Sequence, residues 1–520
     1  MKGLRTWAIA LAAVLSAAAS GAQTDVVTRR LLEWQSRAAL ERRDSALAQH
    51  MLLVPFEGGL AADLVLQMTR HAFRTDADAR AWMRRLERYP AALATARAKL
   101  SAGMDHRVTT PRALVERSLE QWERLAAGEA RTSTLWAPAQ NFSAPMRERY
   151  ERLLDGKVLP AMRTFAAFVR DDYLPRARAT DGLGAVPGGE RLYRMLVRQE
   201  TEAKATPESI HQLGESEVRR IQLQVMLAAG QAGYKGELRD LRTWLRTDPE
   251  NFPFRTPADV LAKLQAIHAR IVPGLPLLFA TLPRAPYEIS LEDVFAGPVA
   301  DATEISRVSL ASMVAREAMP GRALERALAR ERPLPAFRRE LLVRAYAEGW
   351  ALYAEGLGHE IGLYDEPLAL VGRYLDELHH AARLVADTGL HAGGWTRERT
   401  VEFLVEEAAL PERAAVQEVL RLMAWPAHAL GPKYGEIVLR GLRGDAQRRL
   451  GERFDVRVFH ERVLSQGQLP LDLLRGRVDA WISSRPETAK ARSGRSVSRG
   501  APALRRSRGG SRARRWWGGR

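Results

Sequence analysis

Three carboxylates stand at positions and spacings that could serve hydrolytic chemistry. Glu317 lies in the run Arg316-Glu317-Ala318-Met319-Pro320-Gly321-Arg322-Ala323, and Glu348 and Glu355 close the two ends of Glu348-Gly349-Trp350-Ala351-Leu352-Tyr353-Ala354-Glu355. A hydrolytic zinc centre needs about three protein ligands drawn from imidazoles and carboxylates, an open position for water, and a carboxylate that takes the water's proton. Here the carboxylates are present and the imidazoles are not. Arg316 and Arg322 cannot substitute, because a guanidinium stays protonated and has no lone pair to give a metal.

The elements that must position these groups read as helices. From Tyr346 to Ile361 the chain is apolar almost all the way round a helix, which predicts an interior element. Glu348 and Glu355 are the exceptions. Seven residues turn a helix through two revolutions to within ~20°, so both carboxylates emerge on one face, and His359 extends that stripe. Buried carboxylates must be paired, hydrogen-bonded, metal-bound or protonated. Arginine or backbone partners, in a purely structural role, satisfy that demand as well as a metal does.

Two further groups invite chemistry. His391 follows Gly389 and precedes Gly393-Gly394, which predicts a helix end or loop mouth, where a histidine can polarise an oxyanion. His379 and His380 are neighbours on a helix and are expected on different faces, with Asp376 and His380 forming an exposed ion pair at four-residue spacing.

At 520 residues the chain can bury a large core. Ala, Leu, Arg and Glu dominate and β-branched runs are short, which predicts a mainly α fold. Three helix starts repeat one device, a capping Thr before a Pro at the first helical position: Thr110-Pro111, Thr206-Pro207 and Thr256-Pro257. The segment 286–302, with Tyr287, Ile289 and Leu291 alternating and Val294 following, is the best candidate for a short strand, in a fold expected to hold one or two. Breaks fall at Pro55 to Gly59, Thr180 to Gly189 and Asn251 to Pro253.

The ends differ from the body. Residues 1–22 read as a secretory signal, with Lys2 and Arg5 at the charged start, an apolar run from Trp7 to Ala18, and Ser20-Gly21-Ala22 at the cleavage site. That places the protein outside the cytoplasm, periplasmic or secreted. The chain has no cysteine, which excludes disulfides, thiol catalysis and cysteine-linked lipid attachment. The net charge is +17, and residues 485–520 hold twelve basic residues against the single acid Glu487. That Ser/Gly/Arg tail cannot build a core and is expected to be disordered. It could contact polyanions or an anionic membrane surface, with Trp516-Trp517 as a stacking pair. Residues 23–484 are expected to form a single domain of helical subregions around a central cleft.

The motifs, in order, resemble the bacterial family called domain of unknown function 885. Its members carry His-Glu-Ala-x-Pro-Gly-His-His, then Glu-Gly-Trp-Ala-Leu-Tyr-Ala-Glu, then Asp-Thr-Gly-Leu-His with Gly-Trp, then Trp-Pro-Gly-Gln. Matching stretches here include Tyr173 to Arg178, Pro187 to Gly189, Thr206 to His211, Arg383 to His391, Gly394-Trp395, Phe454, Phe459-His460 and Leu469 to Leu471. The resemblance implies a mainly helical zinc metallopeptidase of gluzincin type, with zinc in intact members. It also implies that Glu317 stands where the general base would be, that Arg316, Arg322 and Ala323 replace the motif histidines, and that a Glu of the Glu-Gly-Trp helix would complete the metal shell. The last motif has become Trp425-Pro426-Ala427-His428, with Pro432 where a tyrosine is usual and Lys433 kept. The stretch Phe295 to Leu310 is shortened against the family pattern.

The resulting expectation is a catalytically inactive peptidase relative without a cofactor, with a peptide-binding or structural role. Glu317 and His391 would be remnant catalytic positions, and Arg316, Arg322, Ala323, Glu348 and Glu355 the former metal region. Asp387, His428 and Lys433 would line the cleft, which could hold a peptide. The alternative is an active enzyme with a rearranged ligand set of Glu348, Glu355, His359 and His391. The first is preferred, because rebuilding a metal shell largely from one helix's side chains demands strict ligand geometry. Charge balance adds that three clustered carboxylates need counter-charge, which an arginine fork supplies. Arg316, Arg322 or both are therefore expected to pair with Glu348 or Glu355.

Overall fold

The computed structural model describes residues 26–484 apart from 45–49, 52, 203 and 296–298. The expected leader over 1–22 and the basic segment 485–520 lie outside the described residues. The described residues are mainly α-helical, and no strand occurs among them; Pro111 and Arg178 form an isolated parallel bridge. The strand expected within 286–302 is replaced by a helix start. Ser290 N–H donates to Asp293 Oδ2 at 2.9 Å, Asp293 N–H returns to Ser290 Oγ at 3.2 Å, and the short helix Leu291–Phe295 begins there. Such a reciprocal cap satisfies free amides of a first helical turn, and it outweighs a few alternating apolar residues.

Two of the three Thr-Pro helix starts form as expected. Thr206 exchanges bonds with Ser209, and Thr256 with Asp259, and in each case Pro occupies the first helical turn. Thr110-Pro111 differs. There Pro111 stands outside the helix Arg112–Ala126, and the Thr110 N–H donates to the buried Tyr173 hydroxyl at 2.8 Å. The same tyrosine hydroxyl donates to Thr110 Oγ1 at 3.4 Å, the oxygen that a local cap would have used.

The helices between Leu60 and Phe168 close around their own apolar centre, with Trp82, Trp122 and Tyr150 fully buried. The remainder is built on α1 (Val26–Asp44), α2 (Pro207–Gln231), α3 (Leu310–Glu317), α4 (Arg322–Glu331), α5 (Arg344–Leu357), α6 (Pro367–His391), α7 (Glu412–Ala424), α8 (Gly431–Leu450), α9 (Val456–Leu464) and α10 (Leu471–Ser483). Two pairings dominate, α2 against α6 and α5 against α8. At the α5–α8 crossing a Cβ on Gly349 would stand 2.6 Å from the Gly435 backbone, and one on Gly435 would run into the Ala345 carbonyl. Only glycine lets the two backbones come this close. The crossing fixes α5, which carries Glu348 and Glu355, and α3 packs across both α5 and α6. No helix among the described residues is long and apolar enough to cross a membrane.

Candidate functional site

Helix α3 ends on Arg316 and Glu317, and α4 starts on Arg322. The turn between them, through a cis Met319–Pro320 bond, is held by α5, whose Trp350 Nε1 donates to the Pro320 carbonyl at 3.1 Å. Gly321 closes it, since any Cβ there would collide with the Arg316 and Ala315 carbonyls. Arg316 and Arg322 therefore approach Glu317 from opposite sides. Arg316 Nε donates to Glu317 Oε1 at 3.1 Å, and Arg322 Nη1 to Glu317 Oε2 at 2.6 Å.

Each arginine also reaches α5. Arg316 Nη1 donates to Glu355 Oε1 at 2.8 Å, and Arg322 Nη2 donates to Glu348 Oε2. The result is a ladder, Glu348–Arg322–Glu317–Arg316–Glu355, in which acids and bases alternate. The pairing expected from charge balance is present, and both arginines take part. Asp376 on α6 lies 3.8 Å from Arg316 Nη1 and accepts from Ser312 Oγ at 2.9 Å.

The two ends of the ladder differ in solvation. The Glu348 side chain is 25 % exposed and the Glu355 side chain 0 %. Burial pushes the Glu355 carboxyl up to about 8, against the opposing pull of Arg316. Its second oxygen, Oε2, meets no partner among the described residues. Below that value Glu355 is protonated, and its Oε1 still accepts the arginine's hydrogen bond.

The ladder, apart from its buried end Glu355, forms one wall of a cavity of about 470 Å³ whose other walls come from α6, α7 and the turn into α8. On that side Arg383 grips Glu418 with both forks, at 2.7 and 2.9 Å. Burial alone would raise the Glu418 pKa, but Arg383 outweighs it and holds Glu418 at about 2. Leu352, Leu422 and Trp425 supply apolar floor. His428 lines the cavity, and burial lowers its pKa to about 4.

His379 and His380 correct the sequence reading. They share the cavity instead of facing apart, with rings stacked at 6.0 Å, and Asp376 pairs with Ser312 and Arg316 rather than His380. Burial lowers the pKa of both, His379 to about 3, so both are neutral. Arg344, Arg383, Glu418 and Arg421 also line the cavity and were not singled out. The spacing of His379 and His380 four and three residues before Arg383 was the available signal, since such residues share a helix face.

His391, Asp387 and Lys433 do not line this cavity. His391 does end a helix, but its ring is sealed inside: Leu183 N–H donates to Nδ1 at 3.1 Å, and Nε2 donates to the Leu422 carbonyl at 3.0 Å. With both nitrogens engaged and burial lowering the pKa to about 3, it ties α6 to α7 as a neutral strut. Asp387 is fully buried and accepts from the Tyr193 hydroxyl at 2.5 Å and from Ala427 N–H at 3.0 Å. Lys433 is also fully buried, with Nζ 2.7 Å from Glu377, 2.9 Å from Glu436 and 3.1 Å from Glu217. Family motif positions had suggested cleft residues; packing turns these three into links between helices.

The residues of the ladder do not fit a zinc ion. Arg316 and Arg322 occupy the carboxylates, and Ala323 offers no donor atom. The alternative ligand set is not assembled either, since His359 is exposed on the turn Gly358–Ile361 and His391 is locked elsewhere. Among the described residues, Glu217, Glu377 and Glu436 have ligand atoms within 4.8 Å of one another, and the Lys433 ammonium already fills that space.

A family profile described as Bacterial protein of unknown function (DUF885) matches residues 2–304 and 290–478. The chain belongs to this family. Solved structures share the architecture of this DUF885 chain. The "putative lipoprotein" of Colwellia psychrerythraea superimposes with a TM-score of 0.76 at 26% identity, covering 82% of this chain and 80% of that one. One of unknown function from Shewanella oneidensis gives 0.65 at 16% identity, over 91% and 92% of the two chains, and shows the fold alone. Comparison with curated proteins finds no match.

Proposed function

We propose that this DUF885 protein is a metal-free, non-hydrolytic relative of zinc metallopeptidases, exported to the periplasm or beyond, that holds a peptide in the cavity beside the ladder. One observation carries the reading: Arg316 and Arg322 engage Glu317, Glu348 and Glu355 together. A general base must be free to take a proton from water, and Glu317 accepts from two guanidinium groups instead. The sequence resemblance supplies the peptidase ancestry and the expectation of a cleft. The cavity joins charged walls to an apolar floor, a lining suited to both the amides and the side chains of a short peptide. The signal-like leader and the lipoprotein neighbours support export, although this chain has no cysteine to carry a lipid.

Metal analysis of protein purified without chelator or histidine tag tests the reading directly. Substoichiometric zinc is the expected result, and one equivalent would overturn it. Peptide hydrolysis should stay at background in the wild type. Chelator-sensitive turnover abolished by Glu317→Gln would show a working base and refute the proposal. A dansyl-labelled tetra-alanine peptide should bind without being cleaved, and failure to bind it would remove the peptide-holding role.

A further inference from the structure

A second cavity lies far along the chain from the ladder residues and shares none of its lining. It is a slot of about 420 Å³ between α1, α9 and α10, within the size range of about 300–1,000 Å³ typical of small-molecule sites. Val27, Leu473 and Trp481 make its apolar floor, and Arg30, Arg462 and Arg477 its polar rim. No acidic residue lines it.

The rim is electrostatically incomplete. None of these three arginines forms an ion pair among the described residues, whereas Arg332, Arg449 and Arg475 on the same helices or beside them all do. Arg477 is partly buried; its Nη2 reaches Ser465 Oγ at 3.4 Å, and its Nε is buried with no hydrogen-bond partner among the described residues. Burial and then the neighbouring Arg462 lower its pKa, and no carboxylate works against them. Adjacent like charges without a counter-ion, one with an idle buried donor, form a receptor for an oxyanion.

We propose that this slot binds a linear amphiphile, with its alkyl chain on the apolar floor and a carboxylate or phosphate head on Arg462 and Arg477. Charge complementarity selects this occupant over the chain's own C-terminal segment, whose twelve basic residues would face three arginines. A free fatty acid and an anionic lipid offer the same chemistry, and the test separates them.

Gly476 provides a clean block. It lines the slot, and a Cβ added there meets nothing within 4 Å, so Gly476→Phe fills the space without a backbone clash. Full-length protein titrated with sodium decanoate should bind about one equivalent. Decyltrimethylammonium, with the same chain and the opposite head charge, should bind at least about tenfold more weakly. Arg462→Gln with Arg477→Gln, and separately Gly476→Phe, should each weaken decanoate about tenfold or more while circular dichroism shows the wild-type fold. Sedimentation with phosphatidylglycerol vesicles that both variants lose, beyond any contribution of the unaltered tail, assigns the head to membrane lipid; decanoate binding alone assigns it to the free acid. Equal binding of the cationic and anionic amphiphiles, or unchanged decanoate affinity in both variants, overturns the proposal.

Discussion

Replacing Arg316 by Met should expose what the ladder does for the fold, because the cost depends on pH in a way that a packing defect does not. The variant removes the hydrogen bonds to Glu317 and Glu355 and leaves the fully buried Glu355 without its partner. Glu355 has a folded pKa of about 8 against an unfolded value of 4.5. A raised folded value means that its contribution to stability is complete below the unfolded pKa and is lost as pH rises through the folded one. At pH 6 the carboxyl is protonated in both proteins, so the variant loses only charge-assisted hydrogen bonds, about 1.5–3 kcal/mol. At pH 9 the wild-type carboxylate is ionised and paired, while the variant must bury an unpaired charge or hold its proton above its preferred pH, which costs about 3–5 kcal/mol. Urea denaturation followed by circular dichroism at the two pH values should therefore show a larger deficit at pH 9. In a Glu355→Gln background the Arg316→Met deficit should become independent of pH. Equal deficits at pH 6 and 9 in the native background would show that the ladder pairing contributes nothing at Glu355.

Three other outcomes follow from the same structure. Lys433→Met should destabilise by about 3–5 kcal/mol, because Glu217, Glu377 and Glu436 would lose the buried cation between them and keep only Arg220, Arg373 and Arg440 at the edge of the cluster; a change in melting temperature under a degree would contradict this. Asp387→Asn should flatten the stability profile between about pH 4 and 7: burial raises Asp387 from 3.8 to about 7, so the wild type loses up to about 4 kcal/mol as pH rises across that window and the non-titrating variant does not. Parallel pH–stability curves for the two proteins would refute it. Truncation after Ser484 should leave the thermal transition in place while removing salt-sensitive binding to polyanions, since residues 485–520 carry much charge and too few apolar residues to build a core; unfolding on truncation would place the domain boundary elsewhere.

Much of the candidate site was legible because it depends on local chemistry and helical period. The apolar run around Glu348 and Glu355 marked an interior helix, the seven-residue interval put both on one face, and the charge imbalance called for Arg316 and Arg322. Where reading failed, a distant partner or a stronger local cap had taken over. The Thr110 N–H went to Tyr173. The ring of His391 lies between Leu183 and Leu422, and the alternation in 286–302 yielded to a Ser290–Asp293 cap.

Period, capping residues and charge act over one or two helical turns, so the order of residues already prescribed a helical protein and a carboxylate cluster with arginines in place of ligands. Which side chains share a cavity depends on how helices cross. Glycines at 349 and 435 bring α5 and α8 into contact, and α6 and α7 meet so that Arg383 faces Glu418 while Asp387 and Lys433 turn inward. Those choices are made by packing between segments far apart in the chain, where many weak contacts and the cost of leaving a buried polar group unpaired outweigh any local preference.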